Sequence, residues 1–111
     1  MDKLDKYRES VKNIIIKYSH FKPSYGDIDL QIVFDETRDH YHLMTVGWNK
    51  DKRIRGSILH IDIKDGKIWI QHDGTEDGIA NELLADGIPK HDIVLAFHSP
   101  TRREFTGFAV S

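Results

Sequence analysis

From Leu4 to Tyr18, the apolar residues Leu4, Tyr7, Val11, Ile14, Ile15 and Tyr18 recur at three- and four-residue steps. That spacing collects them on one stripe of a helix. Asp2 stands where a cap belongs, and an acid there suits the helix N-terminus. The helix is expected to end within Lys22-Pro23-Ser24-Tyr25-Gly26, because Pro disfavours helical geometry in the residue before it.

The period then changes to two. Ile28, Leu30, Ile32 and Phe34 alternate with Asp27, Asp29, Gln31 and Val33, the pattern of a half-buried strand. Residues 35–39 are a polar turn. Residues 40–48 read as a second strand, with Met44, Val46 and Trp48 sharing a face. Residues 49–52 are another turn. Residues 53–64 and 67–73 read as a third and a fourth strand. Strands in sequence with short turns predict an antiparallel meander. Residues 75–86 predict a second helix, with Ile79, Leu83 and Leu84 buried and Ala80 beside them. Asp73-Gly74-Thr75-Glu76 has the form of a capping box, with Thr75 as a rival cap, and Gly87 suits a left-handed stop. Residues 93–98 predict a strand, apolar through its first five residues, hence central or covered on both faces. Residues 99–106 read as a polar loop and 107–110 as a short last strand, with the pairing of these two strands open. The fold class is α+β in a single domain over residues 1–111: an N-terminal helix, a four-stranded antiparallel meander, a second helix and one or two C-terminal strands.

Composition narrows the function classes. The 111 residues are 39% hydrophobic with a formal net charge of −2, a folded-domain balance without the overall basic charge that nonspecific nucleic-acid binding favours. There is no cysteine, so disulfides, thiolate catalysis and Cys-ligated zinc are excluded. The longest apolar run, Ile14-Ile15-Ile16, is far short of the roughly twenty residues a membrane-spanning helix needs, and the charged start of the chain lacks a signal-peptide core. A soluble, cytoplasmic protein is expected.

The densest polar chemistry lies in LHIDIKDGKIWIQHDGTED, residues 59–77. Asp65-Gly66 suits a type I′ hairpin turn. An unbroken register from that turn sets Asp62 opposite Trp69, Ile61 opposite Ile70, His60 opposite Gln71, Leu59 opposite His72 and Ile58 opposite Asp73. Leu59, Ile61, Ile63, Ile68, Ile70 and His72 then share the core face, with His72 at its rim and within reach of the second helix. His60, Asp62, Lys64, Lys67, Trp69, Gln71 and Asp73 share the other. On that register His60 and His72 cannot ligate one ion, since ligand atoms must lie about 2.0–2.2 Å from it. Asp62-Ile63-Lys64 matches the acid-x-Lys element of a metal-dependent nuclease, but it needs a second acid, from Asp39 or Asp51 in the turns. His40 and His42 share a strand face and offer half of a metal site without a third ligand. Gly74-Thr75-Glu76-Asp77-Gly78 carries two acids and no P-loop lysine, so it is no phosphate cradle. No catalytic residue, metal ligand set or cofactor site is assigned.

What remains is surface. His60, Asp62, Trp69 and Gln71 form a candidate partner surface, because Trp is enriched at interface hot spots. Trp48 or Tyr41 would extend it, whereas the C-terminal strands or the first helix would cover it. A homodimer is a further candidate. Arg53, Arg55, Arg102 and Arg103, with Lys64, are the candidate basic patch for DNA.

The blocks PSYGDI, RDHYHLMTVGW, GKIWIQHDGTEDGIANEL, GIPKHDIVLAFHSP and TGFAV resemble the XisI family, excision controlling factors of the fdxN element, in order along essentially the whole chain. The resemblance implies a role in controlling programmed DNA excision in cyanobacteria, where a separate recombinase does the cutting. It also implies an XisH-like protein as partner, and a paralogue with a different task is compatible with it. It supplies no catalytic residues to carry over. The expected function is therefore a non-enzymatic accessory factor acting through contacts with the XisH-like protein. The alternatives are a DNA-binding excision factor and a metal-dependent nuclease component.

Overall fold

The structure, a computed structural model, describes residues 2–21 and 26–111. The proposed breaker Lys22-Pro23-Ser24-Tyr25 lies outside them. Helix α1 spans Lys3–Ser19, and the Asp2 carboxylate accepts from the Asp5 N–H at 2.8 Å, as a cap should. Its stripe buries Tyr7, Val11, Ile14 and Ile15, with Leu4 and Tyr18 packed at the margins.

Four strands follow: β1 Asp27–Asp35, β2 His40–Asn49, β3 Lys52–Lys64 and β4 Lys67–Asp73. They pair antiparallel in chain order, giving the expected meander. Helix α2 spans Ala80–Ala85, and β5 Ile93–Leu95 adds to β4 in parallel. A parallel neighbour needs a crossover connection, and the segment holding α2 supplies it. The sheet is therefore five-stranded and mixed, in the order β1-β2-β3-β4-β5.

The core lies between this sheet and the helices. Tyr41, Leu43, Leu59, Ile61, Ile68 and Ile70 are fully buried in one cluster with Val11 and Ile15 of α1, Ile79, and Leu83 of α2. Burying each such aliphatic side chain stabilises the fold by about 1.5–3 kcal/mol. A polar clasp closes the same layer. Tyr7 donates its hydroxyl to the buried Asp92 carboxylate, and Lys3 pairs with Asp92 at 2.9 Å. Burial and then the Asp92 bond push the Tyr7 hydroxyl well above its ordinary value. Burial alone would raise Asp92, but Tyr7 and Lys3 outweigh it and hold the carboxyl below the usual range.

Several details depart from the sequence reading. The second helix is shorter than residues 75–86. Asp73 does not cap it; its carboxylate accepts from the N–H groups of Thr75 at 2.9 Å and Ile79 at 2.7 Å and ties down a loop, in which Gly78 has φ +80°. The strand expected over 93–98 stops at Leu95, and β5 ends the sheet instead of sitting centrally. Its Ile93 and Val94 are nonetheless fully buried. The last strand reduces to a single bridge between Val94 and Ala109. The loop 99–106 contains a short helix, α3 Pro100–Arg103, because Ser99 caps it and Pro100 suits its first position.

Register departs as well. Asp65 and Gly66 both have positive φ, 54° and 76°, as a type I′ turn requires. Pairing follows the unbroken register as far as Ile61 with Ile70, then slips: His60 pairs with His72, and Leu59 with Asp73. Gln71 is the extra residue of a bulge. His72 is consequently exposed and not at the rim of the core. His72 and His60 are direct cross-strand partners on one face of the sheet, not on opposite faces as the unbroken register requires.

Candidate functional site: the open face of the sheet

A second bulge lies on β3. Trp48 pairs with Arg53, Val46 with Arg55 and Met44 with Ser57, but Leu43 pairs with Leu59, leaving Ile58 as the extra residue. Beyond it, His42 faces His60 and His40 faces Asp62. Strand alternation puts these four on the face away from α1, since Tyr41, Leu43, Leu59 and Ile61 between them are in the core.

The four side chains meet. His40 Nδ1 lies 2.8 Å from Asp62 Oδ1, and His60 Nε2 lies 3.0 Å from the same oxygen. Gln71 donates from Nε2 to the other carboxylate oxygen, Oδ2, at 3.2 Å. The His42 ring stacks on His60 with centroids 4.0 Å apart. The hydrogen bond to Asp62 raises the His40 pKa above its ordinary value. Burial, and then the neighbouring His60, lower that of His42. One rigid patch thus holds two imidazoles with opposite proton preferences.

Of the candidate partner surface, His60, Asp62 and Gln71 are joined in this network, and Trp69 is the direct cross-strand partner of Asp62. Trp69 is half-buried. Its indole N–H donates to the Lys64 carbonyl at 3.1 Å, and the Lys64 ammonium and Arg103 guanidinium lie 4.6 and 5.8 Å from its ring centroid. The C-terminal segment therefore covers it in part. Trp48 extends the open face and is 50% exposed, with Arg53 against its ring at 5.1 Å. Val33 of β1, paired with His42, is equally exposed. Tyr41 does not contribute: it is fully buried on the helix side, and its hydroxyl donates to Asp39 at 2.8 Å.

The basic patch does not assemble. Arg53 and Arg55 sit near the β2–β3 turn, roughly 20–30 Å along β3 from Asp62 at about 3.3 Å per residue. Arg102 and Arg103 belong to α3, at the Trp69 end. Arg103 is engaged as an internal strap, donating to the carbonyls of His98 and Ala96 at 3.0 Å each. The nuclease constellation is also unsupported. Asp39 is bound by Arg8 of α1 at 2.8 Å on the helix side, Asp51 lies at the far hairpin, and Lys64 rests on Trp69 instead of Asp62.

Sequence reading isolated His40 and His42 without a third ligand, and placed His60 and Asp62 on the outer face without their neighbours. Among the described residues, His40, His60 and Asp62 form the one group of three whose ligand atoms lie within 4.8 Å of one another. No helix among those residues is long and apolar enough to cross a membrane.

Comparison with known proteins places this geometry in context. The family model described as XisI protein matches residues 1–110. The crystal structure of the fdxN element excision controlling factor XisI from Anabaena variabilis ATCC 29413 is 41% identical, with a TM-score of 0.85 over 99% of this chain and 100% of that one. A XisI-like protein from the same organism is also 41% identical, with a TM-score of 0.91 over 97% and 99% of the two chains. No curated protein matches the chain.

Proposed function

The chain belongs to the XisI family, and from that premise we propose that it is a non-enzymatic accessory factor in programmed DNA element excision, acting by docking an XisH-like protein on the open face of its sheet. The observation that carries this reading is Trp48, half exposed beside Arg53 on the sheet face that α1 leaves uncovered. Trp and Arg are the residue types that dominate interface energetics. Val46 and Met44 continue apolar surface from Trp48 along β2 toward Val33, and His60, Asp62 and Gln71 give the far end of the same face a fixed polar group. Strand residues suit such a role because the ladder already fixes their backbone, so binding costs only side-chain freedom.

Co-expression with the XisH-like protein tests the reading. A complex is expected to co-purify at micromolar concentrations, and Trp48→Ala to weaken it by more than tenfold, a hot-spot loss. Absence of a complex removes the proposal. A gel shift with DNA that falls steeply with salt would replace it with direct DNA binding.

A further inference from the structure

We propose that His40, His60 and Asp62 form a binding site for a divalent first-row transition ion, zinc foremost, on the outer face of β2 and β3. The three ligand atoms are already converged. Asp62 Oδ1 lies 2.8 Å from His40 Nδ1 and 3.0 Å from His60 Nε2, and all three atoms fall within 4.8 Å of one another. Ligands at about 2.0–2.1 Å around a tetrahedral ion stand roughly 3.3 Å apart. Insertion of the ion therefore asks the two imidazoles to move back from the carboxylate by a few tenths of an ångström and to bring their nitrogens, now within 4.8 Å, to the same spacing, a χ adjustment of surface side chains. Two imidazoles and one carboxylate suit zinc, nickel, copper or iron, and not magnesium or calcium, which take oxygen shells.

The surroundings fit ligation. Gln71 holds Oδ2 of Asp62 from the side, leaving Oδ1 toward the imidazoles, as supporting hydrogen bonds orient metal-bound carboxylates. His42, stacked at 4.0 Å, fixes the plane of the His60 ring. Both bulges lie beside the cluster, at Ile58 and Gln71. The first sets His40 and His42 opposite Asp62 and His60, and bulges re-aim side chains in this way at functional sites. Three protein ligands leave coordination open on the solvent side, the arrangement of a reactive or bridging ion and not of a closed structural one.

Equilibrium dialysis of the untagged chain against zinc tests the site, with the cobalt(II) visible spectrum as a second readout. One ion per chain is expected, with intense cobalt bands that mark low coordination number. His60→Ala and Asp62→Asn should each weaken uptake by about tenfold or more, a loss at least as large as removing a supporting residue causes, while His72→Ala leaves it unchanged. Each of the three variants changes only an outer-face side chain, so the circular dichroism of the parent should be retained. Failure to take up zinc at millimolar concentration overturns the proposal and leaves a hydrogen-bonded His–Asp–His network. Uptake lost in His72→Ala, or retained in both His60→Ala and Asp62→Asn, overturns it equally.

Discussion

The two faces of the sheet divide the work of the molecule. On the helix side, Leu43, Leu59, Ile61 and Ile70 are sealed in the core cluster that α1 joins, and two carboxylates that reach this layer, Asp92 and Asp39, are each bound by a cation and a tyrosine. On the other side, residues of the same strands carry histidines, a carboxylate and a half-exposed tryptophan. The contrast teaches that alternation along β2 and β3 assigns stability to one set of residues and recognition to the next. The two properties should therefore be separable by mutation.

The largest effect belongs to the covered face. Ile70→Ala leaves a hole in the core cluster that the packed neighbours cannot fill, and should cost about 2–5 kcal/mol, read as a drop in denaturant midpoint. Gly47→Ala comes next and tests the close approach of β1. A Cβ there would stand 2.1 Å from the Asp27 carbonyl oxygen and 2.7 Å from the Ile28 Cα. Backbone must move to admit it, at about 1–3 kcal/mol. A Gly47→Ala variant as stable as the parent would mean that β1 can shift freely, and the edge of the open face would then be loose.

Asp92→Asn probes the clasp and should cost about 1–3 kcal/mol at neutral pH, the loss of hydrogen bonds to a buried charge. Its sign with pH follows from the lowered folded-state value of Asp92. A carboxyl held below its unfolded value of about 3.9 contributes stability that is present above that pH and lost as pH falls through the folded value. Acid titration of unfolding should therefore show a steep loss below about pH 4 in the parent, shallower in Asp92→Asn. Asp39, held low first by its bond to Arg8, keeps part of the slope. Parallel acid limbs for the two proteins would sever the clasp from acid sensitivity.

The two faces were unequally legible in the sequence. The stripe of α1 and the alternation of β1 to β4 follow from period alone, because one-sided burial repeats along the chain. The Asp65-Gly66 turn was equally plain, because both residues must take positive φ. The open-face cluster was hidden by single-residue insertions. Counting back from the 49–52 turn without a bulge sets His42 opposite Leu59 and His40 opposite Ile61, which scatters the histidines. The extra residue at Ile58 restores His42 to His60 and His40 to Asp62. A bulge leaves no period, and neither Ile58 nor Gln71 is a glycine that would mark it. The C-terminal segment was hard for another reason: Val94 is buried by a bridge from Ala109, a contact that no local pattern encodes.

The smallest stability effect is the sharpest test of the division. Trp48 and Trp69 both stand on strands, yet they differ in how far the domain itself uses them. Trp69 donates to the Lys64 carbonyl and carries two cations against its ring, so Trp69→Ala should cost about 1–3 kcal/mol through a lost hydrogen bond and cation–π contacts. Trp48 is half exposed with one cation beside it, and Trp48→Ala should stay within about 0.5 kcal/mol of the parent, as surface substitutions do. Partner capture is expected to rank them the other way, with Trp48→Ala losing the XisH-like protein and retaining its thermal midpoint. If Trp48→Ala instead destabilises as much as Trp69→Ala and binds the partner like the parent, Trp48 belongs to the fold. The interface would then have to be sought away from this face.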